Sequence, residues 1–228
     1  MKIKKSMPLL MILGLSITAW ILDLHHYLSF ETFKAHQKSL EQFIANHRVV
    51  SLFLYGATYI AVVTLSLPAA TFMTLAGGFL FGQWVGTSVV VTAATIGACF
   101  FFLIARMASS DLLSKKAGGF ATKMQKGFQE NALSYLLTLR LIPIFPFVAV
   151  NLAAAFFQVP LKIFALGTFF GIIPGSLVYV SMGVALREVI QKPDFSPGLI
   201  LDPKILLAFI GLGILSLLPV FYRHLKKK

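Results

Sequence analysis

The sequence predicts an all-α integral membrane protein. It should have four full transmembrane helices and two opposed re-entrant hairpins in an inverted-topology repeat, with amphipathic helices at the interface. Three observations predict this. The 228 residues are 57% hydrophobic and only 12% charged, where a soluble domain carries about 25% charged residues to cover its surface. Charge is also confined, because Val49 to Ala105, Ile163 to Leu186 and Ile205 to Tyr222 have none. Pro68, Pro143 and Pro146 sit inside or beside apolar runs, where a helix cannot continue undisturbed. A span needs roughly 20 apolar residues to cross about 30 Å of hydrocarbon, and the short alternating strands of a barrel are missing.

Residues 1–29 read as an N-terminal membrane anchor. Basic residues precede an apolar stretch, Met7 to Leu22, and no small-x-small cleavage site follows it. Residues 30–109 form a first repeat. It opens on SFETFKAHQKSLEQFIANHR, where Phe33, Leu40, Phe43 and Ile44 fall at roughly helical spacing, as in an interfacial helix. A hairpin over 49–82 and an uncharged span follow. Residues 110–190 repeat the order. Leu113, Ala117, Phe120, Met124 and Phe128 make one stripe while Lys115, Lys116, Lys123 and Lys126 fall away from it, so a second interfacial helix is expected. A hairpin over 131–158 and a span come next, and residues 191–228 add a C-terminal span and a basic tail.

Lysine and arginine favour hairpins over ordinary spans. Six spans (7–22, 49–67, 83–105, 133–156, 163–186 and 205–222) would leave eight basic residues inside and eleven outside, against the usual cytoplasmic bias. With two hairpins the loop 106–130 returns inside, and the balance becomes twelve inside against six outside. Both termini are then cytoplasmic. The hairpins also resemble each other: at a separation of 75, Pro68 matches Pro143, Phe72 matches Phe147, Phe81 matches Phe156 and Gln83 matches Gln158. One full span in the first unit starts the second from the opposite face, as in many transporters with a site at the midplane.

The stretch LTLRLIPIFPFVAVN, residues 137–151, is where chemistry is expected. Pro143 and Pro146 should interrupt the helix around 142–146, presenting free N–H groups and a positive dipole end at the hairpin tip. Pro68 should do the same in LSLPAATF, with Ser66 as its candidate cap. Opposed helix N-termini make an anion site. Arg140 fits there: an arginine at mid-membrane costs about 2.5–3.5 kcal/mol on insertion scales and usually faces a cavity or a partner. No acidic residue occurs between Glu41 and Asp111 or between Glu130 and Glu188. Backbone carbonyls at the tips, water or a bound phosphate are the expected partners; the plainer alternative is an anchor that snorkels to the interface. Phe147 belongs to the same stretch, and Asn151 either joins the site or satisfies loop backbone.

The glycines read structurally. Gly78, Gly82 and Gly86 recur at four-residue spacing, which lets helices approach closely, and Gly77 is expected to turn the end of the returning limb. Pro174-Gly175 should kink the third span and is a candidate hinge.

Other classes are excluded or unsupported. The net charge of +12 lies beside apolar runs and at the termini, which argues for membrane orientation and against nucleic acid. Cys99 is the single cysteine, so no intrachain disulfide can form. No G-x-S-x-G or H-E-x-x-H occurs, and His25, His26, His36 and His47 match no structural zinc spacing. We expect no enzyme activity, cofactor or metal.

LPAATFMTLAGGFLFG, an uncharged span ending FLIAR, then LRLIPIFPFVAVNLAAAFFQVP and GTFFGIIPGSLVYVSMG together resemble the DedA superfamily, also called SNARE-associated Golgi or VTT-domain proteins. The resemblance covers about residues 45–186 and is closest to the Golgi-type branch. Its most specific part is the pattern formed by Arg140, Pro143, Pro146, Phe147 and Asn151. It implies opposed re-entrant hairpins and lipid translocation, either recycling of a carrier lipid or scrambling. Several bacterial members carry membrane-embedded acidic residues thought to couple transport to protons, and this chain has none. The expected partners are phosphate-bearing membrane lipids, with a homo-oligomer compatible. The expected place is a bacterial inner (plasma) membrane, in keeping with the lack of an N-x-S/T acceptor. A small-solute or ion transporter on the same scaffold, or a non-transporting membrane organiser, are the rivals.

Overall fold

The computed structural model describes residues 30–109, 119–141 and 145–191, and every regular element among them is an α-helix. The anchor expected over 1–29, residues 110–118, Pro143 and the C-terminal span lie outside the described residues. In order come α1 (Phe30–Asn46), α2 (Arg48–Thr64), α3 (Ala70–Phe81), α4 (Gln83–Ser109), α5 (Gly119–Leu141), α6 (Phe147–Phe156) and α7 (Leu161–Gln191).

Two helices, α4 over Gln83–Met107 and α7 over Leu161–Glu188, are long and apolar enough to cross a membrane. The others fall short. At 1.5 Å per residue, α2 reaches about 25 Å, α3 about 18 Å and α6 about 15 Å. α5 is broken at Asn131, whose backbone is extended (φ −157°, ψ 86°). Asn131 Oδ1 accepts the Ser134 N–H at 3.1 Å, so it is an N-cap that starts a fresh helix in mid-element. This second segment, Ala132 to Leu141, is also only about 15 Å long.

The short limbs end in the same way. Leu67 N–H donates to the Val62 carbonyl and Ser66 N–H to Val63 at the end of α2. Val159 N–H donates to Ala154 and Gln158 N–H to Ala155 at the end of α6. Both are Schellman closures, and both place a residue other than glycine in the left-handed region, Ser66 at φ 55° and Gln158 at φ 56°. The connection from α3 to α4 instead uses Gly82 at φ 78°, ψ −178°, a conformation that only glycine adopts at ease.

Three expectations are corrected here. Ser66 does not cap α3: it closes α2, its buried hydroxyl has no partner among the described residues, and α3 starts at Ala70 without a side-chain cap. Gly77 does not turn the returning limb, because α3 runs on to Phe81 and Gly82 makes the turn. Gly77 instead makes room for a neighbour, since a Cβ there would lie 2.5 Å from the Tyr55 hydroxyl. Gly78, Gly82 and Gly86 do not share one helix face, as the turn at Gly82 separates them and leaves Gly82 with open space. Gly78 and Gly86 do bring backbones together: a Cβ at Gly78 would fall 2.1 Å from the Val180 carbonyl oxygen, and one at Gly86 2.7 Å from that of Gly77.

α4 and α7 run antiparallel through the centre. The Gln83 amide at the start of α4 donates to the Leu177 carbonyl at 3.2 Å and accepts from the Ser181 hydroxyl at 2.9 Å, late in α7. At the other end, Arg106 Nε donates to Gln158 Oε1 at 2.9 Å, just before α7 begins. Phe102 and Phe164 stack between them, centroids 4.4 Å apart. The two polar contacts are related by the sequence repeat: exchanging residues 75 apart turns Gln83–Ser181 into Gln158–Arg106. Packing follows the same exchange, with α2 on α4 as α5 is on α7, and α3 on α7 as α6 is on α4. The core along this seam includes Ala98, Phe102, Leu136, Ala154, Phe164 and Val180. Phe53, at 75% exposure, and Trp84, at 77%, face outward with Phe100 and Phe170, an apolar exterior suited to lipid.

Candidate functional site

The break that sequence predicts before Phe147 is present. α5 stops at Leu141, and α6 starts at Phe147 with Pro146 as its N-cap residue (φ −56°, ψ 135°) and no side-chain cap. Proline has the fixed φ and missing N–H that suit a helix start. The first N–H groups of α6 therefore have no side-chain acceptor supplied by the cap.

Arg140, in the last turn of α5, folds towards this end. Its Nη1 donates to the Phe147 carbonyl at 3.4 Å, and its Nη2 donates to Asn151 Oδ1 at 2.5 Å and to Thr168 Oγ1 at 3.1 Å. The guanidinium carbon stands 4.2 Å from the Phe147 ring centroid and 5.6 Å from that of Phe164, within the range of cation–π attraction. Asn151 lies one turn into α6 at 1% exposure, and Thr168 is fully buried on α7. Gly171 makes the approach possible, because a Cβ there would fall 2.7 Å from Arg140 Cβ.

The set is short of acceptors. Arg140 Nε and Asn151 Nδ2 are buried donors without a partner among the described residues. Among the described residues, each oxygen that accepts from the guanidinium belongs to a neutral group: a carbonyl, an amide or a hydroxyl. A carbonyl at the tip was an expected partner, and so was a role for Asn151. Thr168 and Phe164 arrive from another helix, and no local pattern in the sequence marks them. Gly171 lies ten residues from the start of α7, about 15 Å along its axis.

The other predicted positions stand apart from this set. Pro68 lies just before Ala69, the N-cap residue of α3, and is exposed. Among the described residues the hydrogen bonds and ring contacts of Arg140 go to Phe147, Asn151, Thr168 and Phe164, and none goes to Pro68 or Ser66. Pro174 lies within α7, which continues as a helix through it, and Gly175 has nothing near the position of a Cβ. Among the described residues no group of three or more His, Cys, Asp or Glu could hold a metal ion.

Comparison with known proteins agrees with the membrane reading. A VTT domain matches residues 67–185, more than half of the chain. A transmembrane protein 41 homolog of Dictyostelium discoideum is 30% identical over 84% of this chain and 57% of its own length. An uncharacterized membrane protein of Arabidopsis thaliana is 29% identical over 82% of this chain and 65% of its own. Human transmembrane protein 41B is 28% identical over 86% of this chain and 67% of its own. The chain thus spans less than two thirds of the first two relatives. No solved structure matches.

Proposed function

The chain belongs to the VTT-domain family of membrane proteins, and we propose that it moves phosphate-bearing lipids between the leaflets of the bilayer. In this reading α2–α3 and the Ala132–Phe156 segment are re-entrant hairpins entering from opposite faces. α4 and α7 cross fully, and the membrane is a bacterial inner membrane. The observation that carries the reading is Arg140: a guanidinium about half a hydrocarbon thickness along α7, with neutral oxygens for partners and spare donors beside it.

A charge at that depth without a carboxylate is costly, and a guanidinium keeps its proton in proteins. A phosphate oxygen would supply both the missing acceptor and the missing charge. Arginine offers it a planar fork, Asn151 Nδ2 a further donor, and the start of α6 a positive dipole end. Acyl chains would stay in lipid along the apolar exterior while the headgroup passes Arg140. Because one headgroup leaves as it came, the step is an exchange between leaflets and needs no covalent chemistry.

Liposomes containing purified protein and headgroup-labelled lipids test this. Arg140→Ala should insert and fold yet lower the exchange rate at least about tenfold, the equivalent of one charge-assisted hydrogen bond of about 1.5–3 kcal/mol. Arg140→Lys should keep part of the activity, because an ammonium lacks the planar fork. Normal exchange by a well-expressed Arg140→Ala protein would make the arginine an anchor and reject the reading. Flux of a water-soluble anion without lipid exchange would favour a solute transporter instead.

A further inference from the structure

We propose that α7 hinges at Pro174, and that bending there parts the second hairpin from α4 along the seam beside Arg140, so that the Arg106–Gln158 contact latches access to the site. The use of this motion rests on the translocation reading above; its geometry does not.

Pro174 is the only residue inside α4 or α7 that cannot donate to the preceding turn, so the Phe170 carbonyl loses its helical N–H. Gly175 follows, with nothing within 4 Å of a Cβ position. The weak point therefore has both a missing hydrogen bond and free space, the usual conditions for a helix bend.

The two halves of α7 hold different hairpins. Before Pro174, a Cβ at Gly167 would fall 2.8 Å from the Leu136 side chain, and one at Gly171 2.7 Å from Arg140 Cβ. This half is fitted to α5. After Pro174, a Cβ at Gly183 would fall 2.0 Å from the Leu75 carbonyl oxygen, and Val180 meets Gly78 in the same way. That half is fitted to α3. The first hairpin is in turn fitted to α4, where a Cβ at Gly86 would fall 2.7 Å from the Gly77 carbonyl oxygen and one at Gly97 2.8 Å from that of Ile60. Close-packed contacts of this kind shift as blocks and do not deform continuously.

Two bodies result. One comprises α2, α3, α4 and the second half of α7; the other comprises the Ala132–Leu141 segment, α6 and the first half of α7. Between them α6 lies on α4, and the side chains that reach across the seam include Phe102 stacked on Phe164 and Arg106, which donates to Gln158 Oε1 and the Val159 carbonyl. Phe164 also lies under the Arg140 guanidinium, so opening this seam bares the outer side of the ring that backs the site. The repeat-related contact, Gln83 with Leu177 and Ser181, lies wholly inside the first body. Contacts related by sequence therefore differ in mechanics: one crosses the moving seam and the other does not.

Paired cysteines in a Cys99→Ala background test the difference. Arg106→Cys with Gln158→Cys, bridged by a short bifunctional methanethiosulfonate, should slow lipid exchange at least tenfold, with recovery on reduction. Gln83→Cys with Ser181→Cys, bridged in the same way, should stay within twofold of its reduced form. Unchanged exchange with 106–158 bridged, or equal arrest by both bridges, overturns the proposal. A readout independent of transport uses spin labels at Phe100 on α4 and Leu152 on α6, both exposed. Electron–electron distances in proteoliposomes should show two populations, merging into one in Pro174→Ala. A single population in the unsubstituted helix overturns the hinge. Two populations without any lipid exchange would instead reject translocation and leave the hinge standing.

Discussion

The two hairpins occupy related places in the fold but are held together by different chemistry. In the first, neutral hydroxyls join the limbs: Tyr55 donates to the Met73 carbonyl, and the Tyr59 hydroxyl lies 2.8 Å from Thr74 Oγ1. In the second, a guanidinium joins α5 to α6 and α7 through Asn151 and Thr168. Shifting by 75 residues puts Leu65, Ala76 and Ala93 where the second repeat has Arg140, Asn151 and Thr168. A broken limb can therefore be built into this scaffold without a charge. The charge in only one of the two is hard to explain as a requirement of the architecture, which favours a ligand over an anchor.

The largest expected effect comes from making the second hairpin satisfy itself. Asn151→Asp nearly preserves shape, gives Arg140 a carboxylate and removes the spare Nδ2 donor. For a structural arginine this is a repair, so stability should hold or rise while transport stays normal. For an anion site it fills the place of the ligand with a fixed charge. We expect lipid exchange to fall at least about tenfold, with an unfolding temperature no lower than that of the parent, because an ion pair replaces a charge–dipole contact. Thermal unfolding and exchange assays on one preparation distinguish the cases, and normal exchange would remove the functional difference between the hairpins.

In the first hairpin the expected effect is smaller and of the opposite kind. Tyr59→Phe removes one hydroxyl from the Thr74 and Ala70 contacts and should cost about 1 kcal/mol of stability. Exchange per folded molecule should stay within about twofold, a difference below 0.5 kcal/mol. Loss of exchange from an intact Tyr59→Phe protein would place the first tip in the site too and erase the asymmetry.

The sequence made some of this legible and hid the rest for physical reasons. Arg140 and the start at Phe147 followed from the cost of a buried charge and from proline's missing N–H, both local rules. The offset of 75 also pointed to Gln83 and Gln158, though not to their pairing with Ser181 and Arg106. Thr168, Phe164 and Gly171 reach Arg140 from α7, and only tertiary packing brings them there. Ser66 misled because serine suits either side of a short connection. Five residues separate Thr64 from Ala70, and the Schellman closure of α2 takes Ser66 before α3 can use it. Asn131 was readable as the start of the hairpin limb, but the merging of two helices into α5 depends on how the preceding amphipathic segment packs, as Phe128 does against Tyr135 and Phe157.

The smallest expected effect is a null, and it bears on both hairpins equally. A carrier driven by protons needs a group that gains and loses one inside the membrane, commonly Asp, Glu or His. Neither Val49 to Ala105 nor Asn131 to Leu186 contains any of the three. The other acid–base side chains there are Arg140, Lys162, Cys99 and tyrosines, none of them the types that commonly relay protons in carriers. On the translocation reading, the asymmetry between the hairpins is then expected to be one of ligand binding, since neither stretch offers an Asp, Glu or His to make one face a proton source and the other a sink. Labelled lipid in proteoliposomes should reach the same leaflet distribution with and without an imposed pH gradient. Accumulation in one leaflet that follows the gradient and vanishes with a protonophore would show a proton-linked step, and the difference between the hairpins would then need a driving force as well as a ligand.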